Sequence, residues 1–218
     1  MAGGSVANTI RGLSSGFGIS SGIIGACGDD EQGQLFVNNM SSHGVDLSRL
    51  QKKKGHTAQC VCLVDELANR TMRPCLSNAV KVQAQELMKE DFKGSKWLVL
   101  RYAVLNLEVI QAAIDLAKQE GLLVSLDLAS FEMNADPIAA VEFLAKYCEW
   151  AVVTLGSNGC IARHGKEMIH VSAIGESKAT DATGAAPYVL TVNRNQSTHF
   201  STSTVNSIAN QASVIREL

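Results

Sequence analysis

Apolar residues follow two alternating rhythms along the middle of this chain. Short, nearly unbroken apolar runs occur at "KWLVLR" (96–101), "LLVSLDL" (122–128) and "WAVVTLG" (150–156). Runs of that length and composition predict buried strands. Between them the spacing changes. "NLEVIQAAIDLAKQEG" (106–121) sets Leu107, Ile110, Ala113, Ile114 and Ala117 on one helical face and then stops at glycine. "DPIAAVEFLAKYC" (136–148) predicts a second helix. Strand, helix, strand, helix, strand is the order of a parallel sheet with helices packed on it.

The flanks add smaller pieces. Residues 4–14 suit a short helix that starts from a glycine pair, and "GISSGIIGAC" (18–27) predicts a buried strand. "DDEQGQLFVNNMSSHG" (29–44) offers acids at a helix start, apolar Leu35, Phe36 and Met40, and a stop at Gly44. "AQCVCLVDELANRTMRP" (58–74) predicts two strands joined by a turn near 66–69. "CIARHG" (160–165) and "KEMIHV" (166–171) predict an antiparallel hairpin beside the main sheet. From about residue 191 the chain is rich in Ser, Thr, Asn and Gln and has no sustained period. Residues 1–190 are therefore expected to form the folded domain. Residues 191–218 are expected to be a poorly ordered tail that does not complete it.

Composition narrows the class. The chain has 218 residues, 46% hydrophobic and 18% charged, which suits one globular, soluble domain. A net charge of -2 supplies no field to recruit nucleic acid or an anionic membrane. No apolar run approaches the roughly 20 residues of a membrane-spanning helix. Nothing at the N-terminus has the form of a signal peptide, so a cytoplasmic location is expected. Six cysteines, Cys27, Cys60, Cys62, Cys75, Cys148 and Cys160, are expected to be small buried hydrophobes. Cys60 and Cys62 fall on one face of a predicted strand, and zinc would need other spacings. The five histidines, spaced singly, are expected on the surface.

Three glycine-bearing turns could carry chemistry. In the first, Gly3 and Gly4 leave room for a ligand against the backbone, and Asn8 both donates and accepts one turn later. An ordinary helix start would have the same residues. The second, Thr154-Leu155-Gly156-Ser157-Asn158-Gly159, follows a predicted strand at the edge where ligands of open α/β sheets gather, although a ligand-free hairpin loop would look similar. In the third, Asp181 and Thr183 offer oxygen ligands, and Gly184-Ala185 offer N–H groups to an anion at a possible helix start. The third turn is not a Walker A loop, because no Gly-Lys-Ser/Thr follows, and no Gly-x-Gly-x-x-Gly follows any strand.

Five segments in one order resemble the PfkB, or ribokinase-like, carbohydrate kinases, a family that includes adenosine kinase. They are "GGSVANTIRGLS", "GACGDDEQGQLFVNNMSSHGVDL", "TAQCVCLVDELANRTMRP", "VVTLGSNGC" and "DATGA", running from residue 3 to about 185. The resemblance implies an α/β fold with a mainly parallel sheet, helices on both faces and a small β lid formed by the strands at about 58–75. It implies transfer of the γ-phosphate of ATP, with Mg2+, to a hydroxymethyl group of a sugar or nucleoside. Gly3, Gly4 and Asn8 would meet the substrate hydroxyls, and Thr154, Gly156 and Gly159 would lie by the nucleotide. Asp181 and Thr183 would hold a monovalent cation. Gly184, Ala185 and Ala186 would form the anion hole. "GACGDDEQG" would be a structural helix start packed behind the site.

The departures from the family pattern are as specific. The resemblance begins at the glycine pair, where family members have an earlier strand with a substrate-binding aspartate. No Asn-x-x-Glu, the family's magnesium-organising motif, occurs. Only "FEMNA" separates "LDLAS" from the following helix, where the family has a further helix and strand. The family turn Gly-Ala-Gly-Asp, whose aspartate is the general base, here reads Gly184-Ala185-Ala186-Pro187. The expectation is a truncated or alternatively spliced kinase homologue with little or no phosphotransfer and no catalytic residue in place. The alternative is a non-catalytic protein that binds a sugar or nucleotide.

Overall fold

The computed structural model describes residues 2–66, 70–77, 80–101, 107–127, 136–146, 148–173 and 213–215. Helix α1 spans Ser5–Phe17 and buries Val6, Ala7, Thr9, Ile10 and Leu13, the face its spacing dictates. Gly18 ends it in the left-handed region at φ 65, with the N–H groups of Gly18 and Ile19 closing on Ser14 and Leu13 carbonyls. Helix α2 (Glu31–Ser42) starts at Asp30, whose carboxylate accepts the Gly33 N–H at 2.9 Å. Two short strands, β1 (Ser21–Ile23) and β2 (Gly25–Gly28), stand where the sequence predicts one. β3 (Leu50–Lys53) pairs in parallel with β2 from Gly25↔Leu50 to Gly28↔Lys53.

Beyond the hairpin β4 (Gln59–Val64) and β5 (Arg70–Cys75) lies the centre of the fold. β6 (Trp97–Arg101) and β7 (Leu123–Asp127) pair in parallel across α3 (Leu107–Gln119). Leu98, Val99 and Leu100 of β6 are all buried, as a strand covered on both faces requires. Val99 joins α1, Ile23 and Met40 in one cluster. Leu98 and Leu100 join Phe92 and the α3 residues Ala113 and Ala117 in another. Alternation along β6 thus puts helices on both sheet faces. After these come α4 (Pro137–Leu144), β8 (Trp150–Thr154), β9 (Cys160–His164) and β10 (Glu167–Val171). Ala140 and Val141 of α4 pack on Ala151, Val153 and Ile161.

Three expectations need correction. β8 does not pair with β7; it pairs antiparallel with β9, in a sheet ordered β10-β9-β8. The strand next in the chain, one tight turn away, is its partner. The tail is not wholly outside the fold, because Ser213–Ile215 form β11, antiparallel to both β1 and β6, in a sheet ordered β1-β11-β6-β7. β1 and β6 run the same way and would otherwise leave a gap of unpaired backbone between them; the short run Ser-Val-Ile supplies the strand. The remainder of 191–218 lies outside the described residues. Finally, only Cys27 and Cys160 are buried, whereas Cys60, Cys62, Cys75 and Cys148 are exposed. Cys60 and Cys62 on β4 and Cys75 on β5 are exposed because, among the described residues, no layer covers the hairpin.

Candidate functional site

The N-terminus of α1 is the first part of the site. Gly4 sits before the helix at φ 97 and ψ 131, where a side chain would be strained. A Cβ on Gly3 would meet nothing within 4 Å, so the backbone on that side is open. Asn8 lies one turn along, half-buried, and its N–H closes on the Gly4 carbonyl at 2.9 Å. Its side-chain oxygen accepts the Arg11 guanidinium at 2.9 Å. Arg11 also donates to Asn39 Oδ1 of α2 at 2.7 Å and to the Ala2 carbonyl at 3.1 Å. One fork of donors therefore fixes the segment before the helix, the Asn8 amide and the neighbouring helix together. With Oδ1 engaged by Arg11, the remaining hydrogen-bonding group of the Asn8 side chain is its amide NH₂, a donor. Sequence reasoning missed Arg11; its spacing of three from Asn8 on a helix was the available signal.

The turn after β8 is the second part. Thr154 ends β8 and is exposed. Residues Gly156–Asn158 form a single 3₁₀ turn, closed by Leu155 N–H to the Gly159 carbonyl at 2.7 Å and by Gly159 N–H to the Gly156 carbonyl at 3.1 Å. The two glycines differ. Gly156, at φ 59, has nothing within 4 Å of where a Cβ would stand, so its face is open to a ligand. Gly159, at φ 86, would drive a Cβ into the Val171 carbonyl at the end of β10. Packing alone accounts for that glycine, as in the hairpin-loop reading. The turn thus presents an open glycine two residues from an exposed threonine.

The third turn, with Asp181, Thr183, Gly184, Ala185, Ala186 and Pro187, lies outside the described residues. Among the described residues no group of three His, Cys, Asp or Glu side chains is placed to hold a metal ion. Nor, among them, is any helix long and apolar enough to cross a membrane.

A third cluster surrounds Asp30. Its Oδ1 accepts the Thr57 hydroxyl at 2.5 Å and its Oδ2 accepts the Thr57 N–H at 3.0 Å, beside the Gly33 N–H already described. The Thr57 hydroxyl and backbone, then Gly33, hold the Asp30 carboxyl down at about 2. Thr57 Oγ1 accepts the Gly28 N–H at 2.9 Å. The glycines here are obligatory: a Cβ on Gly28 would overlap the Gly55 carbonyl, and one on Gly33 the Gly28 carbonyl. "GACGDDEQG" is thus a helix start, as the resemblance implies, and it also grips the segment that leads into the hairpin.

Sheet order, helix placement and the glycine-led helix describe a ribokinase-like α/β fold. The sequence profile of the pfkB family carbohydrate kinases matches residues 1–137, and the chain belongs to that family. Among solved structures it is similar to an adenosine kinase from Sinorhizobium meliloti, at 23% identity and a TM-score of 0.73 over 84% of this chain and 67% of that one. It is also similar to an uncharacterized sugar kinase from Pyrococcus horikoshii in complex with ATP, at 16% identity and 0.65 over 80% of this chain and 68% of that one. A putative ribokinase II from E. coli in complex with ATP and Mg2+ gives 17% and 0.63 over 78% and 68%. No curated protein sequence matches the chain significantly. At these identities the structural likeness speaks to the fold.

Proposed function

We propose that this chain is a carbohydrate or nucleoside kinase homologue that keeps its acceptor site and has lost most of its phosphotransfer. The observation that carries the reading is the open, glycine-led start of α1, where Arg11 occupies the Asn8 side-chain oxygen and so turns Asn8 into a donor toward a sugar hydroxyl. Thr154 and Gly156 border the nucleotide, with Gly159 shaping the turn behind them. Asp181 and Thr183 take a monovalent cation, and Gly184, Ala185 and Ala186 take the transferring phosphate. ATP and Mg2+ are the cofactors of the reaction class; both accompany a kinase of similar structure.

The loss of transfer is argued from chemistry. A carboxylate that accepts the hydroxyl proton contributes about 10²–10⁴-fold. Pro187, which has no titratable atom, stands where the family has that carboxylate. Asp181, six residues earlier and assigned to a cation, does not replace it. Proline is compatible with the first turn of a helix but removes one N–H donor, so the anion hole is weakened as well. A sugar or nucleoside panel incubated with labelled ATP tests the reading. The expected result is no transfer above a protein-free control, and none gained by Ala186→Gly with Pro187→Asp alone, since base and metal support act as a unit. Clear turnover by the unsubstituted chain would show that another group supplies the base.

A further inference from the structure

We infer that Asp30 and Thr57 form the pivot that sets the position of the β4–β5 hairpin, which makes Asp30 a positioning residue for whatever the hairpin covers. Both strands of the hairpin are exposed along their described length, with Val61 and Leu63 about 60% exposed, so no layer among the described residues fixes its direction. Its direction must come from its two legs. Both legs are tied at one place, the end of the β2–β3 pair where Gly28 and Lys53 are register partners.

The legs are tied unequally. On the incoming leg Asp29 Oδ1 accepts the Gly55 N–H at 2.9 Å, and Asp30 takes both the hydroxyl and the N–H of Thr57. Thr57 Oγ1 in turn accepts from Gly28, so the strand end, the helix start and the leg share one hydrogen-bonded knot. Only Ala58 separates that knot from β4. On the outgoing leg Lys53 Nζ donates to the Lys81 carbonyl at 2.7 Å and to the Glu86 carboxylate at 2.6 Å, while Glu86 Oε2 accepts the Gln83 N–H. β5 ends at Cys75, so this anchor lies several residues beyond the hairpin. The incoming leg is thus pinned one residue from the hairpin, whereas on the outgoing side the buried Val80 and the Lys81 carbonyl are the ties, five and six residues past Cys75. The Thr57 knot therefore fixes where β4 starts, and Lys53 ties the outgoing side to the same strand end.

What the hairpin covers rests on the kinase reading; the pivot does not. The test is a distance measured between two nitroxide labels on the full chain, one at Cys62 on β4 and one at Leu35→Cys on the exposed side of α2. Cys60, Cys75 and Cys148 are changed to Ser, while Cys27 and Cys160 are buried, and burial raises both thiols. The expected result is a single narrow distance distribution, at least doubled in width by Asp30→Asn or Thr57→Val and restored by Thr57→Ser, which keeps the hydroxyl. An unchanged width in both of the first two variants overturns the pivot, and Thr57→Val serves where Asp30→Asn fails to fold. Calorimetric affinity for a sugar or nucleoside is the second readout, expected to fall about tenfold in Asp30→Asn and to be unchanged in Thr57→Ser. A broadened distribution with undiminished affinity overturns the positioning role. Absence of binding by the unsubstituted chain overturns the kinase reading instead, and the pivot then stands or falls on the distances.

Discussion

The two glycines of the β8–β9 turn show how one residue type carries two different duties. Gly159 meets backbone on the side where a Cβ would be, and its φ of 86 is one that side chains rarely adopt. Gly159→Ala is expected to cost more than about 2 kcal/mol, from backbone strain plus displacement of β10, and thermal denaturation would show it. Gly156 has a φ of 59 but open space around it. Gly156→Ala is expected to cost only about 1–2 kcal/mol of left-handed strain while weakening nucleotide binding. Equal melting losses for the two would mean that the turn is packed differently. Asp30 gives a pH signature at the same scale. Its carboxyl is depressed from 3.8 to about 2 on folding, so its contribution is fully present above about pH 5 and is lost as pH falls through 2. The gap in urea midpoint between the native chain and Asp30→Asn should shrink as pH falls below 4. A gap that grew in acid would contradict the hydrogen-bond account.

Among the elements, those with a strong period were legible in the sequence and those held by the rest of the fold were not. α2 announced itself by Asp30, its apolar spacing and Gly44, and α3 by its one-sided stripe. β3, Leu50-Gln-Lys-Lys, has no alternation and exists because β2 offers it a parallel edge. β11 is three residues in a polar tail and is specified by the gap between β1 and β6. Val214 pairs with Gly22 on one side and Leu98 on the other, so Val214→Pro removes a donor from the middle of a sheet. A melting temperature several degrees lower is expected, and an unchanged one would remove β11 from the fold. The hairpin was legible in its two strands, though the turn expected near 66–69 falls mostly outside the described residues; its exposure was not legible, since Val and Cys are read as core residues wherever they alternate.

At the scale of the molecule, the family and the layer order followed from five segments in sequence, because helix starts, glycine turns and apolar runs are local features. The contacts that organise the site are not local. Arg11 reaches Asn39 across 28 residues and Asp30 reaches Thr57 across 27, and neither partner stands out in its own neighbourhood. On the reading proposed above, the start of α1 remains an acceptor site in a chain that transfers little phosphate. Calorimetry of the native chain and of Asn8→Ala against a panel of pentoses, hexoses and nucleosides tests that claim most directly, with thermal melting to show that the variant folds. At least one member of the panel is expected to bind the native chain, and Asn8→Ala to bind it about tenfold more weakly, the size of one lost hydrogen bond. Equal affinity in the two chains, or no binding to the native one, would contradict it.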